Sequence, residues 1–363
     1  MRRKEGKDDV REKGQIAALI FSLALWGLSG FAFAASFEEA LKSLDGLSGR
    51  ERLARLEKEA QREGRVRWAS STNLDRVQPL IEAWRKKYPG IQIEYNRLSG
   101  RKLADRAINE YRVGRYDFDL LGSSAVTFWS VKEAGVIRSY LSPEGAALRS
   151  GTKDPNGLWV NDYSNVLAIT CNKNRVESVP KDWKDFTDPK WRGDFSLDTE
   201  RFQWFRALQK IYGEEGAKKL VTGLLRNGAL VRRGGTLEAQ LVAAGEYSCT
   251  LGAYLNSAYL LMKRGAPLIY SVPEPVLLSP SITMMPKYPP HPHAAMLLYD
   301  HIISAEGLSH FTRNNALFPS RKDVPVVDEI RALQEKPLHF IDVEDQSRHY
   351  KEISEIYESL LKK

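Results

Sequence analysis

A chain of 363 residues, 42% hydrophobic and 28% charged, has the make-up of one large or two ordinary folded domains, which excludes a disordered or low-complexity polymer. The formal net charge is +8, but the basic residues are scattered and no run of Lys and Arg is interleaved with aromatics. That spread argues against a nucleic-acid partner and leaves weak steering of small anions.

The N-terminus carries a charged stretch, then an apolar run from Ile16 to Leu28 that is too short for an ordinary membrane span, then Ala32-Phe33-Ala34. This order is that of a secretory signal peptide over residues 1–34, with an uncleaved anchor as the alternative. Residues 51–63 read as a charged helix with Leu53, Leu56 and Ala60 on one face, ended by Gly64. Val66–Ala69 reads as a strand, Ser70-Ser71-Thr72-Asn73 as a polar turn, and Leu74, Val77, Ile81 and Trp84 as the inner face of a helix that stops at Pro89-Gly90. Ile91, Ile93 and Tyr95 alternate as a second strand. Ser99-Gly100 opens another helix, and Tyr116–Leu121 is a third strand ending in Gly122-Ser123-Ser124.

This strand–helix rhythm with short connections is that of a mainly parallel α/β sheet, whose strand ends face a binding crevice. Ser70, Ser71, Ser99, Gly100, Ser123 and Ser124 therefore gather round one pocket, or each only caps its own helix. From Leu158 the segments lengthen, through Trp159–Tyr163 and Val166–Cys171, as at a crossing into a second lobe. A second α/β unit follows. It has strands at Phe195–Leu197, Ala229–Val231 and Cys249–Leu251, and helices at Phe202–Tyr212, Ala217–Leu225 and Leu237–Ala244. Extended stretches near Ile269 and Ser281 return the chain, and the remainder is helical to Leu361.

Cys171 and Cys249 are the two cysteines. They read as separately buried thiols, with one disulfide as the alternative. Nucleotide-binding glycine loops, nucleophile elbows and paired-His zinc motifs are absent, so no catalytic residue is assigned. His291-Pro292-His293 reads as a surface turn rather than a metal pair.

Several stretches together resemble class II periplasmic solute-binding proteins of ABC importers, in particular the ferric-iron-binding group. The most specific is Asp182–Gly193 (DWKDFTDPKWRG); Gly64–Thr72, Gly245-Glu246-Tyr247, Gly265-Ala266-Pro267, His291–Gly307 and Phe318–Arg321 add to it. The resemblance implies a two-lobed clamshell, each lobe a mainly parallel sheet flanked by helices, joined by two hinge strands. Lobe 1 would comprise residues 65–160 and 275–363 and lobe 2 residues 161–274, with a helical segment at 35–64 before them. It also implies a periplasmic monomer that binds a small solute and delivers it to a permease in the inner membrane, with no cofactor and no catalysis.

Around the cleft, the serine loops would face Asp162, Tyr163 and Ser164 at the hinge. Thr199, Arg233, Gly235, Thr236 and Tyr254 would come from lobe 2. Gly235 and Thr236 at a helix start, with Arg233 beside them, suit an oxyanion. Iron-binding relatives use two adjacent tyrosines, whereas the matching stretch here is Asn256-Ser257-Ala258-Tyr259. Tyr259 is thus the one candidate metal ligand, and a ferric carrier is the runner-up. A sensor that signals to a membrane receptor is the third reading.

Overall fold

In the computed structural model the described residues are 36–362, so the signal segment expected at 1–34 lies outside them. Helix α1 (Phe37–Lys42) leads to α2 (Gly49–Glu63). A capping box between Ser48 and Glu51 starts α2, and Gly64 ends it at φ 70°, a left-handed conformation that favours glycine. Leu56 and Ala60 are buried, but Leu53 is exposed, so the packed stripe begins one turn later than the spacing suggests.

Strands β1 (Arg65–Ser70), β2 (Gln92–Arg97) and β3 (Leu120–Ser124) alternate with helices α3 (Leu74–Lys87) and α4 (Gly100–Arg112). The strands pair in parallel in the order β2-β1-β3, with Trp68 beside both Tyr95 and Leu120. Helix α5 (Phe128–Glu133) and the short β4 (Ile137–Arg138) follow.

Strand β5 (Val160–Asn172) is buried along all 13 residues. At about 3.3 Å per residue it is long enough to serve two sheets. The chain then forms β6 (Phe195–Asp198), α6 (Phe202–Arg226), β7 (Leu230–Arg232), α7 (Gly235–Ala244), β8 (Cys249–Tyr254), α8 (Leu255–Met262), β9 (Leu268–Ser271) and β10 (Val276–Pro286). The first half of β5 pairs with β10, which itself pairs with β3. The second half pairs with β8 and β9, and β8-β6-β7 continue in parallel. Two mixed sheets thus share β5, and the β9–β10 connection is the second link between them. The two helices expected in 202–225 are one element bent at Gly213, whose φ of 76° leaves the helical range.

Helices α9 (Pro292–Ile303) and α10 (Ala305–Thr312), strand β11 (Leu317–Pro319), α11 (Asp328–Arg331), β12 (Leu338–Phe340), α12 (Val343–Arg348) and α13 (Tyr350–Leu361) complete the fold. Helix α9 is buried on nearly every face, as an all-round apolar helix must be. His291 and His293 at its start do not form a surface turn. The Nδ1 of His291 bonds Asp119 at 2.8 Å, and that of His293 bonds Glu63 at the same distance, tying the start of α9 to the residue before β3 and to the end of α2.

Two expectations need correcting. Cys171 and Cys249 are joined as a disulfide: they are direct partners in the β5–β8 ladder, with Cα atoms 4.1 Å apart. The C-terminal helix α13, assigned with residues 275–363 to lobe 1, packs on the second sheet's core instead. Its Tyr357 ring lies 5.3 Å from that of Phe205, and its hydroxyl donates to the Asp198 carbonyl at 3.0 Å. An aromatic that large goes where apolar surface is left uncovered, here by α6.

The interlobe cleft as candidate binding site

Between the two sheets lies a cleft of about 1140 Å³. The loops that follow β1, β2 and β3 form one wall, and the starts of α6 and α7 form the other. Both walls are carboxyl ends of parallel strands, where an open α/β sheet places its ligands.

Nine of the fourteen residues expected at a site line this cleft. Ser71, Ser99, Gly100 and Ser124 come from the first wall and Tyr163 from β5; Arg233, Gly235, Thr236 and Tyr254 come from the second. Ser70, Ser123, Asp162 and Ser164 are fully buried and lie outside the lining, because strand residues alternate in direction and their neighbours take the outward place. Thr199 is also absent from the lining, and its N–H donates to the Arg232 carbonyl at 2.8 Å.

The buried set still supports the wall. The Ser70 hydroxyl accepts from the Thr72 N–H at 3.1 Å, and the Thr72 hydroxyl bonds that of Tyr163 at 3.0 Å. Asp162 accepts from the Tyr163 N–H at 2.9 Å, and loss of solvent pushes its carboxyl up to about 6.

Arg201, at the start of α6, is the residue that pattern reading missed. Its side chain is 8% exposed and is paired with buried Asp198 at 3.2 Å. The guanidinium lies 4.7 Å from the Tyr254 ring centre, and its Nε has no hydrogen-bond partner. It rests against the backbone at Gly235, where a Cβ would stand only 1.7 Å from Nη2. Any larger residue there would displace the guanidinium. Beneath it Glu238, in the first turn of α7, accepts from the Ser196 hydroxyl at 2.7 Å; burial pushes its carboxyl up to about 7. Arg233, by contrast, is 78% exposed and paired with Glu200 at 2.9 Å.

The cleft wall counts seven basic residues against three acidic ones, an excess of positive charge that few stretches of the sequence announce. Arg76 reaches from α3 to the second lobe: with its amide oxygen turned toward it, buried Asn256 accepts from Nε and Nη2 at 3.2 and 2.8 Å. Arg348 and Lys351 enter the lining from the C-terminal helices. Tyr259, the candidate metal ligand, is 4% exposed in the hinge core with Leu255 and Ile330 and is not in the lining. Among the described residues no group of three His, Cys, Asp or Glu side chains is placed to hold a metal ion.

Comparison with known proteins gives the context. In fold the chain is similar to the Trichodesmium protein IdiA (FutA), solved with iron and citrate ligands, at 20% identity and a TM-score of 0.70, covering 82% of this chain and 99% of that one. It is equally similar to the periplasmic binding protein AfuA from Actinobacillus pleuropneumoniae, solved with fructose-6-phosphate, at 20% identity and a TM-score of 0.70 over 83% and 99%. Iron-bound HitA from Pseudomonas aeruginosa gives 18% identity and a TM-score of 0.71 over 82% and 99%. These likenesses carry the two-lobed clamshell. A curated Haemophilus influenzae protein, described as uncharacterized, is 28% identical over 156 residues, which span 39% of this chain and 44% of that protein's length. Residues 118–348, well over half of the chain, match the family described as bacterial extracellular solute-binding protein. The chain therefore belongs to the bacterial extracellular solute-binding protein family.

Proposed function

We propose that this protein is the periplasmic substrate-binding component of an ABC importer, and that it carries a small anionic solute in the interlobe cleft to an inner-membrane permease. The observation that carries the reading is Arg201, a buried guanidinium on the cleft wall beside the unpaired N–H groups that open α7. Water is largely excluded from that side chain, so an oxyanion there meets a stronger field than at the surface. On this reading the protein works by binding and release as a monomer, with no bond made or broken. The hinge strands β5 and β10 let the walls close on the ligand, and the closed shape is what a permease recognises. The Cys171–Cys249 disulfide suits an exported protein, since such bonds persist in oxidising compartments.

Of the solved neighbours named above, two hold iron, one of them with citrate, and one holds fructose-6-phosphate. The cleft's surplus of arginines suits the anion rather than a ferric cargo, and Tyr259 is buried in a core cluster outside the lining. Melting curves with fructose 6-phosphate, inorganic phosphate and citrate, against uncharged fructose, test the reading. At one hundred times the dissociation constant a bound anion adds about 2.7 kcal/mol. Stabilisation by at least one anion, weakened in Arg201→Gln and Arg233→Ala, is expected; equal stabilisation by fructose, or variants that respond like the parent, would overturn it.

A further inference from the structure

Two helix N-termini open on the cleft, that of α4 on one wall and that of α7 on the other. Resting on the anionic-solute reading, we propose that the ligand is a small molecule with two anionic groups, of phosphate, phosphonate or carboxylate type. One group is received by Arg201 and the start of α7, the other by Arg101, Ser124 and the start of α4.

On the second-lobe wall, α7 is ten residues long, its first N–H groups after Gly234 have no helical acceptor, and the Nε of Arg201 is unpartnered in a side chain more than nine-tenths buried. The first-lobe corner is built differently. Helix α4 is 13 residues long, the side chain of its cap residue Ser99 makes no capping bond, and its first turn contains no acid. That turn instead carries Lys102 and, in the cleft lining, Arg101, at the positive end of the helix dipole, where a cation is unfavourable unless an anion is near. Among the described residues neither Arg101 nor Arg97 is paired with a carboxylate. Independently, the Ser123 hydroxyl is fully buried without a hydrogen-bond partner and lies 3.2 Å from where a Cβ on Gly100 would stand. Ser123 thus lies beneath this helix start, behind the cleft wall, while the Ser124 hydroxyl, 3.9 Å from the same Cβ position, is in the cleft lining.

Charge and size agree. Seven basic residues against three acidic leave an excess of four on the cleft wall. One phosphate monoester brings about −1.5 to −2 near neutral pH, so two anionic groups come close to balance where one does not. A cavity of about 1140 Å³ also exceeds what a single small oxyanion fills.

The test is calorimetric titration of the full exported chain with matched pairs: fructose 1,6-bisphosphate against fructose 6-phosphate, and 3-phosphoglycerate against glycerol 3-phosphate. The doubly anionic member of at least one pair is expected to bind about tenfold tighter or more, equivalent to about 1.4 kcal/mol. Arg101→Gln, at an exposed position in the first turn of α4, should abolish that advantage by weakening the member with two anionic groups more than the member with one. Arg201→Gln should weaken both members; Arg201→Lys, which keeps the charge, should weaken them less and controls for folding. Equal affinity within both pairs, or an advantage that survives Arg101→Gln, would overturn the two-ended ligand and leave the anion reading standing. If no member of either pair binds, this proposal falls, and if inorganic phosphate and citrate also fail to bind, the anion reading falls with it.

Discussion

Arg201 acquires its place from three neighbours that are far apart in sequence: Asp198 holds one edge of the guanidinium, the Tyr254 ring covers a face, and Gly235 leaves room for Nη2. Gly235→Ala should therefore act on the ligand through Arg201. The added methyl collides with the end of a flexible side chain, so the fold survives and the guanidinium moves aside. Anion affinity in Gly235→Ala should fall about tenfold with little change in melting temperature; unchanged titration would separate Arg201 from the site.

Asp162 makes a different prediction. Its folded value, about 6, stands above its ordinary 3.8, so the folded state holds the proton longer than the unfolded chain. Stability is then lost as pH rises from about 4 to about 6, by roughly 3 kcal/mol at most. Asp162→Asn lacks this loss, and its stability relative to the parent should improve over that interval in urea titrations. A difference that stays flat with pH would contradict it.

At the level of elements, α12 has an unusual position. Lys132 of lobe 1 pairs with its Glu344 at 3.1 Å, and Arg348 lies 4.2 Å from the Trp129 ring centre. On its other side Asp345 accepts from Arg206 at 2.8 and 2.7 Å and from Lys210 at 3.0 Å. The helix is thus strapped to both lobes. Those cations, Arg206 foremost, hold the Asp345 carboxyl down to about 2, so its contribution is present above about pH 4 and lost as pH falls toward 2. Asp345→Asn should cost about 1–2 kcal/mol at neutral pH after solvent screening, and should speed amide exchange in α12 and α13. The destabilisation should vanish near pH 2, and its persistence there would mean a packing effect instead.

The helices and strands themselves were legible because their signals are local. The alternation in Ile91–Tyr95, the stop at Gly64 and the break near Gly213 each act within one turn or strand. The disulfide was not, because it depends on the β5–β8 register between residues 78 apart in sequence. Leu53 was misplaced for a related reason: a periodic stripe says which face is apolar, not where its partner ends.

For the molecule as a whole, the resemblance implied a two-lobed clamshell, and the observed sheets sharing β5 have that form. Chain order placed α13 with the wrong lobe, since a final helix packs wherever apolar area is open and Phe202 and Phe205 supplied it. The cleft was half legible. Small residues at strand ends marked the loops after β1, β2 and β3, and alternation then hid Ser70 and Ser123 while exposing Ser71 and Ser124. The arginines were not legible, because Arg76, Arg201 and Arg348 come together only when both lobes and the C-terminal strap are in place.

The most direct test of an anion-carrying cleft is native mass spectrometry of the purified protein, followed by denaturation of the same sample and identification of what is released. The expected result is a non-covalent small organic anion, either carried through purification or taken up on incubation with 3-phosphoglycerate or fructose 6-phosphate, and lost in Arg201→Gln. A mass corresponding to bound iron, or a protein that stays empty after incubation with those anions, would contradict it.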